Sequence, residues 1–218
     1  MEASLNENTY AALKQDIMGL RLKPGDAISA AKVAEMYHVS RTPAREAIVK
    51  LEREGLLRIF PQSKTLVSKI DLGRAMQEWF VRSTLEVEMV PLFLSHCDEL
   101  VLRRLSENLE KQKSADTDDP YNYFRLDNAF HGIIYESSGE LLAKEIIDTN
   151  MTHYNRIRYL SDLSRPVHEK TLAEHGQIIE AARERDAEWM QAIVKKHIRR
   201  IHSDRNEVLR RYPEYFSV

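Results

Sequence analysis

The chain has 218 residues, which is enough for one large domain or two smaller ones with separate cores. Its hydrophobic fraction of 43% is ordinary for a globular protein, and no apolar run approaches the roughly 20 residues that cross a bilayer. The N-terminus lacks a basic-then-apolar signal segment, and the only cysteine, Cys97, has no intramolecular partner for a disulfide. We therefore expect a cytoplasmic protein with no membrane partner, and a packed thiol at Cys97.

Charge is unevenly distributed although the net charge is only −2. Residues 1–70 hold 11 Lys and Arg against 8 Asp and Glu, whereas residues 71–218 hold 21 against 26. A basic front end on an acidic body suits a protein whose first part meets phosphate. The asymmetry is modest and by itself is weak support.

The first elements are two predicted helices separated by a turn. Apolar spacing predicts a helix over residues 8–20. Its apolar stripe consists of Tyr10, Leu13, Ile17 and Leu20. A turn at 23–26 follows, and Ser29 can cap a second short helix.

A third helix is predicted in the segment that begins at Ser40. Thr42 can cap this helix, Pro43 suits its first turn, and Gly55 can end it. A narrow apolar face points inward. That face consists of Ala44, Ala47, Ile48 and Leu51.

Two arginines mark the outer side of this third helix. Arg41 and Arg45 are four residues apart, so a helical path places both on one face. An arginine fork can pair with O6 and N7 of guanine in the major groove, a contact that lysine copies poorly. The alternative is an ordinary surface helix with scattered charges.

After Gly55, two short strands are predicted at 57–60 and 66–70, with a hairpin tip at 61–65. Three helices followed by a β-hairpin indicate a winged helix-turn-helix. The fold predicted is mainly α, with an N-terminal winged helix-turn-helix domain at 1–70 and a C-terminal all-α helical bundle at 71–218.

The second domain is predicted to be helical throughout, with breaks at Gly139 and at a loop over 161–166. Its helices are predicted at 72–96, Asp98 to Lys113, Asp119 to about Ser137, 140–160, 167–184 and 187–211.

Three of these helices carry a metal-ligand residue type within the apolar stripe. The residues are Asp127 with His131 on one helix, His175 on the second and His197 on the third. A buried carboxylate or imidazole is costly without a partner. If the helices converge, one carboxylate and three imidazoles form a mixed N/O site for Zn²⁺, Ni²⁺, Mn²⁺ or iron.

Spacing alone leaves other interpretations open. A lone histidine on an apolar stripe is more often a hydrogen-bonded core residue than a ligand. Asp127 and His131 can be a simple surface pair. A different quartet that includes His153 is a further alternative.

The quoted segments resemble the GntR family of bacterial transcription regulators, in its FadR-type subgroup with a helical C-terminal (FCD) ligand domain. The strongest match is the run from Ser40 to Ala47. Other matching positions are Leu51, Gly55, Leu56, Arg82, Glu86, Asp127 to His131, Glu174 with His175, and His197.

The resemblance implies that Asp127, His131, His175 and His197 hold a divalent transition metal, with Zn²⁺ favoured over Ni²⁺, Mn²⁺ or iron. It also implies that Arg82 faces the same cavity and can pair bidentately with the carboxylate of an effector. The alternative for Arg82 is a structural ion pair with Glu86.

Two departures from the family pattern concern loops. The hairpin tip usually contains a glycine, where this chain has Ser63-Lys64-Thr65, so a close backbone approach to the minor groove is not expected. The family usually has Gly-Asn where this chain has Gly139-Glu140.

The predicted function is a ligand-responsive transcription regulator, a repressor that binds a palindromic double-stranded DNA operator as a homodimer and senses a small organic acid at the metal. Arg41 and Arg45 would read bases, while Ser40, Thr42 and Lys64 would contact phosphates. The alternatives are a metal-dependent hydrolase, and a DNA-binding regulator whose body is a metal-free dimerisation module.

Overall fold

A computed structural model describes residues 2–116, 119–163 and 165–217 of the chain. The chain forms two compact units, Met1–Leu72 with Arg211–Val218, and Gly73–Arg210. The sequence predicted two consecutive domains, 1–70 and 71–218. In the structure, the C-terminal segment from Arg211 onward belongs to the first unit instead of the second. Within the described ranges, no helix combines the length and the apolar character needed to cross a bilayer.

The first unit contains three helices and a small antiparallel sheet, as a winged helix-turn-helix requires. The elements are α1 Glu2–Met18, β1 Ala27–Ile28, α2 Ala30–Met36, α3 Arg41–Arg53, β2 Leu57–Phe60 and β3 Lys64–Val67. The strands are ordered β1-β3-β2. Helix α1 begins before predicted residue 8, and β1 was not predicted because two residues show no periodicity.

The core of this unit lies between α3 and the two preceding helices, as the apolar spacing predicted. Its fully buried members include Leu13, Ile17, Val33, Ala44 and Leu51. Ser29 caps α2 by accepting a hydrogen bond from the Lys32 backbone N–H at 3.2 Å.

The start of α3 differs from the prediction, and its end agrees with it. The helix begins at Arg41, so Ser40 rather than Thr42 occupies the N-cap position, and its side chain makes no capping hydrogen bond. Pro43 still lies in the first turn, where its missing N–H costs nothing. Gly55 adopts a left-handed φ of 76°, and the next residue donates back into the helix, which closes it as predicted.

The hairpin is tighter than predicted. Lys64 was expected at the tip, but it is the first residue of β3 and pairs with Phe60. The turn therefore shrinks to residues 61–63. Gln62 takes a φ of 55° there, a conformation that glycine adopts at lower cost.

The second unit is helical. Its helices are α4 Leu72–His96, α5 Glu99–Lys113, α6 Pro120–Ser138, α7 Leu141–Asn150, α8 Thr152–Asp162, α9 Arg165–Glu184, α10 Ala187–Arg199 and α11 Ile201–Arg211. The predicted caps are confirmed, since Asp98 accepts from the Val101 N–H at 2.9 Å and Asp119 accepts from the Asn122 N–H at 3.1 Å. Gly139 ends α6 with a φ of 82°.

Two helices predicted as continuous are broken. The segment 140–160 divides at Met151, and the segment 187–211 divides at Arg200. The predicted loop over 161–166 is correspondingly short, because α8 reaches Asp162 and α9 begins at Arg165. The N-terminus of α8 is capped by a side chain of α4. Glu78 Oε2 accepts hydrogen bonds from the backbone N–H groups of His153 and Tyr154, both at 2.8 Å.

The C-terminal segment pairs with the end of the winged unit. The Ile70 N–H donates to the Tyr215 carbonyl at 2.8 Å, and the Ser217 N–H donates to the Ile70 carbonyl at 3.0 Å. Phe216, between these two bonds, is buried.

Candidate functional site

The outer face of α3 presents the predicted DNA-binding residues. Arg41 and Arg45 occupy the first and fifth positions of the helix, one turn apart, and both are exposed. Ser40, Thr42 and Lys64 are exposed as well. This face is therefore available to a groove of duplex DNA, while the individual roles of these residues stay predictions.

The other end of α3 is tied to α1. Tyr10 donates its hydroxyl proton to Glu54 at 2.5 Å, and Lys14 Nζ lies 2.8 Å from the same carboxylate. Lys50 places its ammonium 3.7 Å from the centre of the Tyr10 ring. These contacts fix the helix through its C-terminal half and leave its first turn free for a ligand.

In the second unit, Asp127, His131, His175 and His197 come together, as the sequence hypothesis required. Helices α6, α9 and α10 supply them, and one ligand atom from each lies within 4.8 Å of the others. All four side chains are buried. His153 lies outside this group, with its Nδ1 3.1 Å from an Arg156 nitrogen.

Three imidazole nitrogens in the cluster have no hydrogen-bond partner. They are His131 Nδ1, His131 Nε2 and His175 Nε2, and all three are buried. Each such atom costs roughly 1–3 kcal/mol if nothing meets it. Three nitrogens and one oxygen are the donor set of a transition-metal site, so the residues fit a divalent cation.

The opposite nitrogens of two imidazoles are held by acceptors. His175 Nδ1 lies 2.9 Å from Gln112 Oε1, and His197 Nδ1 lies 2.9 Å from Glu174 Oε2. Gln112 in turn donates through Nε2 to Asn108 Oδ1 at 2.7 Å. An Nδ1–H that donates outward leaves Nε2 with the lone pair that a metal needs.

Glu86 stands behind the third imidazole. His131 Nδ1 lies 3.1 Å from Glu86 Oε2, although the alignment is poor for a hydrogen bond. Glu86 also accepts from Arg82 Nε and from the Tyr135 hydroxyl. Burial opposes ionisation of Glu86, but Arg82 and His131 hold its pKa well below the ordinary value. Arg82 therefore forms the structural ion pair with Glu86 that the sequence analysis gave as the alternative to an effector-binding role.

Burial and a neighbouring cation set the protonation states of Asp127, His175 and His197. Despite its burial, the pKa of Asp127 is held well below the ordinary value, chiefly by Arg158. Burial lowers the pKa of His197 to about 4 and that of His175 well below its usual range. At neutral pH the site therefore presents one carboxylate and neutral imidazoles at these two positions.

Arg158 is a site residue that the sequence analysis missed. It donates to Asp127 Oδ2, and Asn128 and Asn155 hold its other nitrogen at 2.9 and 3.0 Å. Asp127 Oδ1 lies 3.5 Å from His175 Nε2 on the cluster side. The arginine thus orients the carboxylate, and no local pattern around residue 158 signals this.

A small cavity of about 40 Å³ adjoins the cluster. Its ionisable lining residues are Asp127, Arg158, Asp162, His197, Arg200 and Asp204. Arg82 is not among the described residues that line it, so its predicted effector role stays a prediction. Cys97 is buried, and burial raises its pKa, as a packed thiol requires.

An exposed helix in a winged helix-turn-helix unit, followed by a helical unit with a buried cluster, is the organisation of a DNA-binding transcription regulator. Comparison with protein families agrees. The FCD domain matches residues 79–200, and the bacterial regulatory proteins of the gntR family match residues 5–67. The chain belongs to the GntR family, with an FCD domain, as the sequence predicted.

Relatives extend over nearly the whole chain. An uncharacterized HTH-type transcriptional regulator in an unstable DNA locus of Streptomyces ambofaciens is 30% identical, over 96% of this chain and 88% of that protein. The HTH-type transcriptional repressor RspR of Escherichia coli K12 is 28% identical, over 98% and 94%. The solved structure of E. coli McbR/YncC superposes with a TM-score of 0.80 at 21% identity, covering 95% of this chain and 98% of that one.

These comparisons settle the class of protein. The family and the relatives are transcription regulators, not enzymes. The predicted mainly α fold with an N-terminal helix-turn-helix is confirmed.

Proposed function

We propose that this protein is a metal-containing, ligand-responsive repressor that acts in the cytoplasm and binds a palindromic operator as a homodimer. The observation that carries the proposal is the buried convergence of Asp127 and three histidines, with three imidazole nitrogens left unsatisfied. A purely structural core has no reason to keep such atoms without a partner.

The proposed DNA contact uses the exposed first turn of α3. Arg41 and Arg45 read base edges, while Ser40, Thr42 and Lys64 hold phosphates and fix the register. One short helix makes few base contacts, so a second copy related by two-fold symmetry completes the recognition. The similar E. coli protein RspR is named a transcriptional repressor, which supports repression as the direction of regulation.

The proposed effector is a small carboxylate that binds beside the cluster. A divalent cation held by Asp127, His131, His175 and His197 would supply a Lewis-acidic position for one effector oxygen. Arg82 keeps Glu86 ionised behind His131, so it acts on the site through that pair. The guanidinium groups that line the cavity, Arg158 and Arg200, are the ones that an effector can reach.

Effector binding changes DNA affinity only by the difference between its affinities for the two arrangements of the protein. The test begins with selection of an operator from random duplex DNA, followed by light scattering to count protein chains per duplex. Fluorescence anisotropy then measures operator affinity of zinc-loaded and chelator-treated protein, with and without small carboxylates, at one salt concentration.

Two chains per duplex, and an effector response that disappears with the metal, support the proposal. Thermal melting that is insensitive to both chelator and zinc would instead favour a metal-free dimerisation module.

A further inference from the structure

The cavity beside the cluster carries charges of both signs. Two guanidinium groups, Arg158 and Arg200, and two acids outside the cluster, Asp162 and Asp204, line the same space. A site for a plain carboxylate needs only cations and donors. The two additional acids therefore call for their own explanation.

Arg200 offers an unused donor. Its Nη2 lies 2.8 Å from Thr171 Oγ1 and 3.1 Å from Glu174 Oε2, whereas its Nη1 is buried without a partner. Arg158 differs, because it is already engaged by Asp127, Asn128 and Asn155. The free nitrogen of Arg200 is thus the natural partner for an anionic oxygen.

Asp162, by contrast, is a buried acid that lacks a cationic partner in the part of the chain that the structure describes. Its side chain is only 7% exposed, and among the described residues no cation approaches it to ion-pair distance. Burial, together with the charge of Asp127, raises its pKa to about 8. Asp204 lines the same cavity and is half-buried. Acids in such a space are stabilised by a cationic donor or by protonation.

We propose that the effector is a small zwitterion, whose carboxylate binds Arg200 on the cluster side and whose protonated amine binds Asp162 and Asp204. This inference rests on the proposed function as a ligand-responsive regulator, and it specifies the chemical class of the effector. A cavity of about 40 Å³ has room for only about three water-sized groups, so the ligand must be among the smallest zwitterions. A simple carboxylic acid would satisfy Arg200 but leave Asp162 to be stabilised by protonation alone.

Three probes of nearly equal size separate the possibilities: propionate, L-lactate and L-alanine, which differ in the group at carbon 2. Calorimetric titrations use zinc-loaded full-length wild type, Asp162→Asn and Asp204→Asn. Asp148→Asn is the matched control, because Asp148 is an exposed acid on α7 that pairs with Lys144. Metal content is measured for every sample.

We expect alanine to bind wild type at least about tenfold more tightly than propionate, the size of one charge-assisted hydrogen bond. Asp162→Asn should remove most of this preference while metal content stays unchanged, and Asp148→Asn should preserve it. Equal binding of alanine and propionate, tighter binding of lactate than of alanine, or a preference that survives both cavity substitutions would overturn the proposal.

Titrations of chelator-treated protein separate this inference from the proposed function. If no preparation ever holds metal, but an Asp162-dependent preference for alanine persists, the metal-dependent function fails and the zwitterion inference stands. If metal binds and alanine is not preferred, the zwitterion inference fails alone.

Discussion

The winged unit and the helical unit present their functional residues in opposite ways. Arg41 and Arg45 lie on the exposed face of one continuous helix, four residues apart. The metal-type cluster is buried and is assembled from three helices whose members are up to 70 positions apart in sequence. A surface of the first kind depends on local geometry alone, whereas a site of the second kind also depends on every element packed around it.

The largest expected effect concerns the buried site. His175→Ala removes one ligand from a preorganised set, so bound metal should fall to the level of chelator-treated wild type. Elemental analysis of purified protein measures the ratio, and circular dichroism checks that the helices persist. His96→Ala is the control, because His96 is exposed and lies outside the cluster. An unchanged metal-to-protein ratio in His175→Ala would contradict the site.

The exposed surface should respond differently. Arg45→Ala should lose about 1–3 kcal/mol of discrimination between operator and scrambled DNA, the worth of one bidentate base contact. Its thermal stability should barely change, because the side chain is exposed. Anisotropy titrations at fixed salt make the comparison, with Arg53→Ala in the last turn of α3 as the matched control. If both variants discriminate as wild type does, Arg45 does not read bases.

A third substitution sharpens the contrast by acting on the cluster from outside. Gln112→Leu removes the acceptor of His175 Nδ1, so the imidazole loses its fixed tautomer and metal affinity should fall roughly 10–100-fold. Gln112→Glu keeps an acceptor at the same place and should retain affinity. Competition with a chelator measures affinity, and nitrogen NMR of the imidazoles reports the tautomer. Equal affinities for wild type and Gln112→Leu would show that the amide only fills space.

The smallest effect is a pH dependence of metal-free protein. Burial lowers the pKa values of His175 and His197, the latter to about 4. Below pH 6.5 the unfolded chain therefore binds more protons at these two residues than the folded protein does. Stability should therefore fall as pH drops from about 6.5 toward 4. Asp162 opposes this trend, because burial raises its pKa to about 8 and its contribution is lost as pH rises toward that value.

Asp162→Asn should consequently steepen the loss of stability on acidification, by at most about 1.4 kcal/mol per pH unit for a single proton. Urea unfolding of the two metal-free proteins at several pH values tests the sign. A shallower slope in the variant would contradict the assignment.

Sequence reasoning predicted the elements whose signals are local. The apolar face of α3, the stop at Gly55 and the cap at Asp98 each depend on residues within one or two turns. Convergence of the metal-ligand types was also anticipated, because a polar residue in an apolar stripe indicates a buried role. The tighter hairpin and the N-cap at Ser40 were missed, since neighbouring polar residues offered equivalent positions.

The remaining features depend on partners far away in the chain. The break at Met151 has no Gly or Pro to mark it, and the helix restarts on the distant carboxylate of Glu78. Arg158 on Asp127 and Gln112 on His175 join positions 31 and 63 residues apart. Periodicity within one helix carries no information about such pairs.

The pairing of Ile70 with the segment around Phe216 has a practical consequence for gene dissection. A fragment that stops near residue 70 would expose an apolar edge that the intact polypeptide covers, so it should be more prone to aggregate than its own helices suggest. An affinity tag fused to the C-terminus would follow directly on Ser217, whose N–H is bonded to Ile70 of the winged unit. Tags for operator studies therefore belong on a cleavable linker.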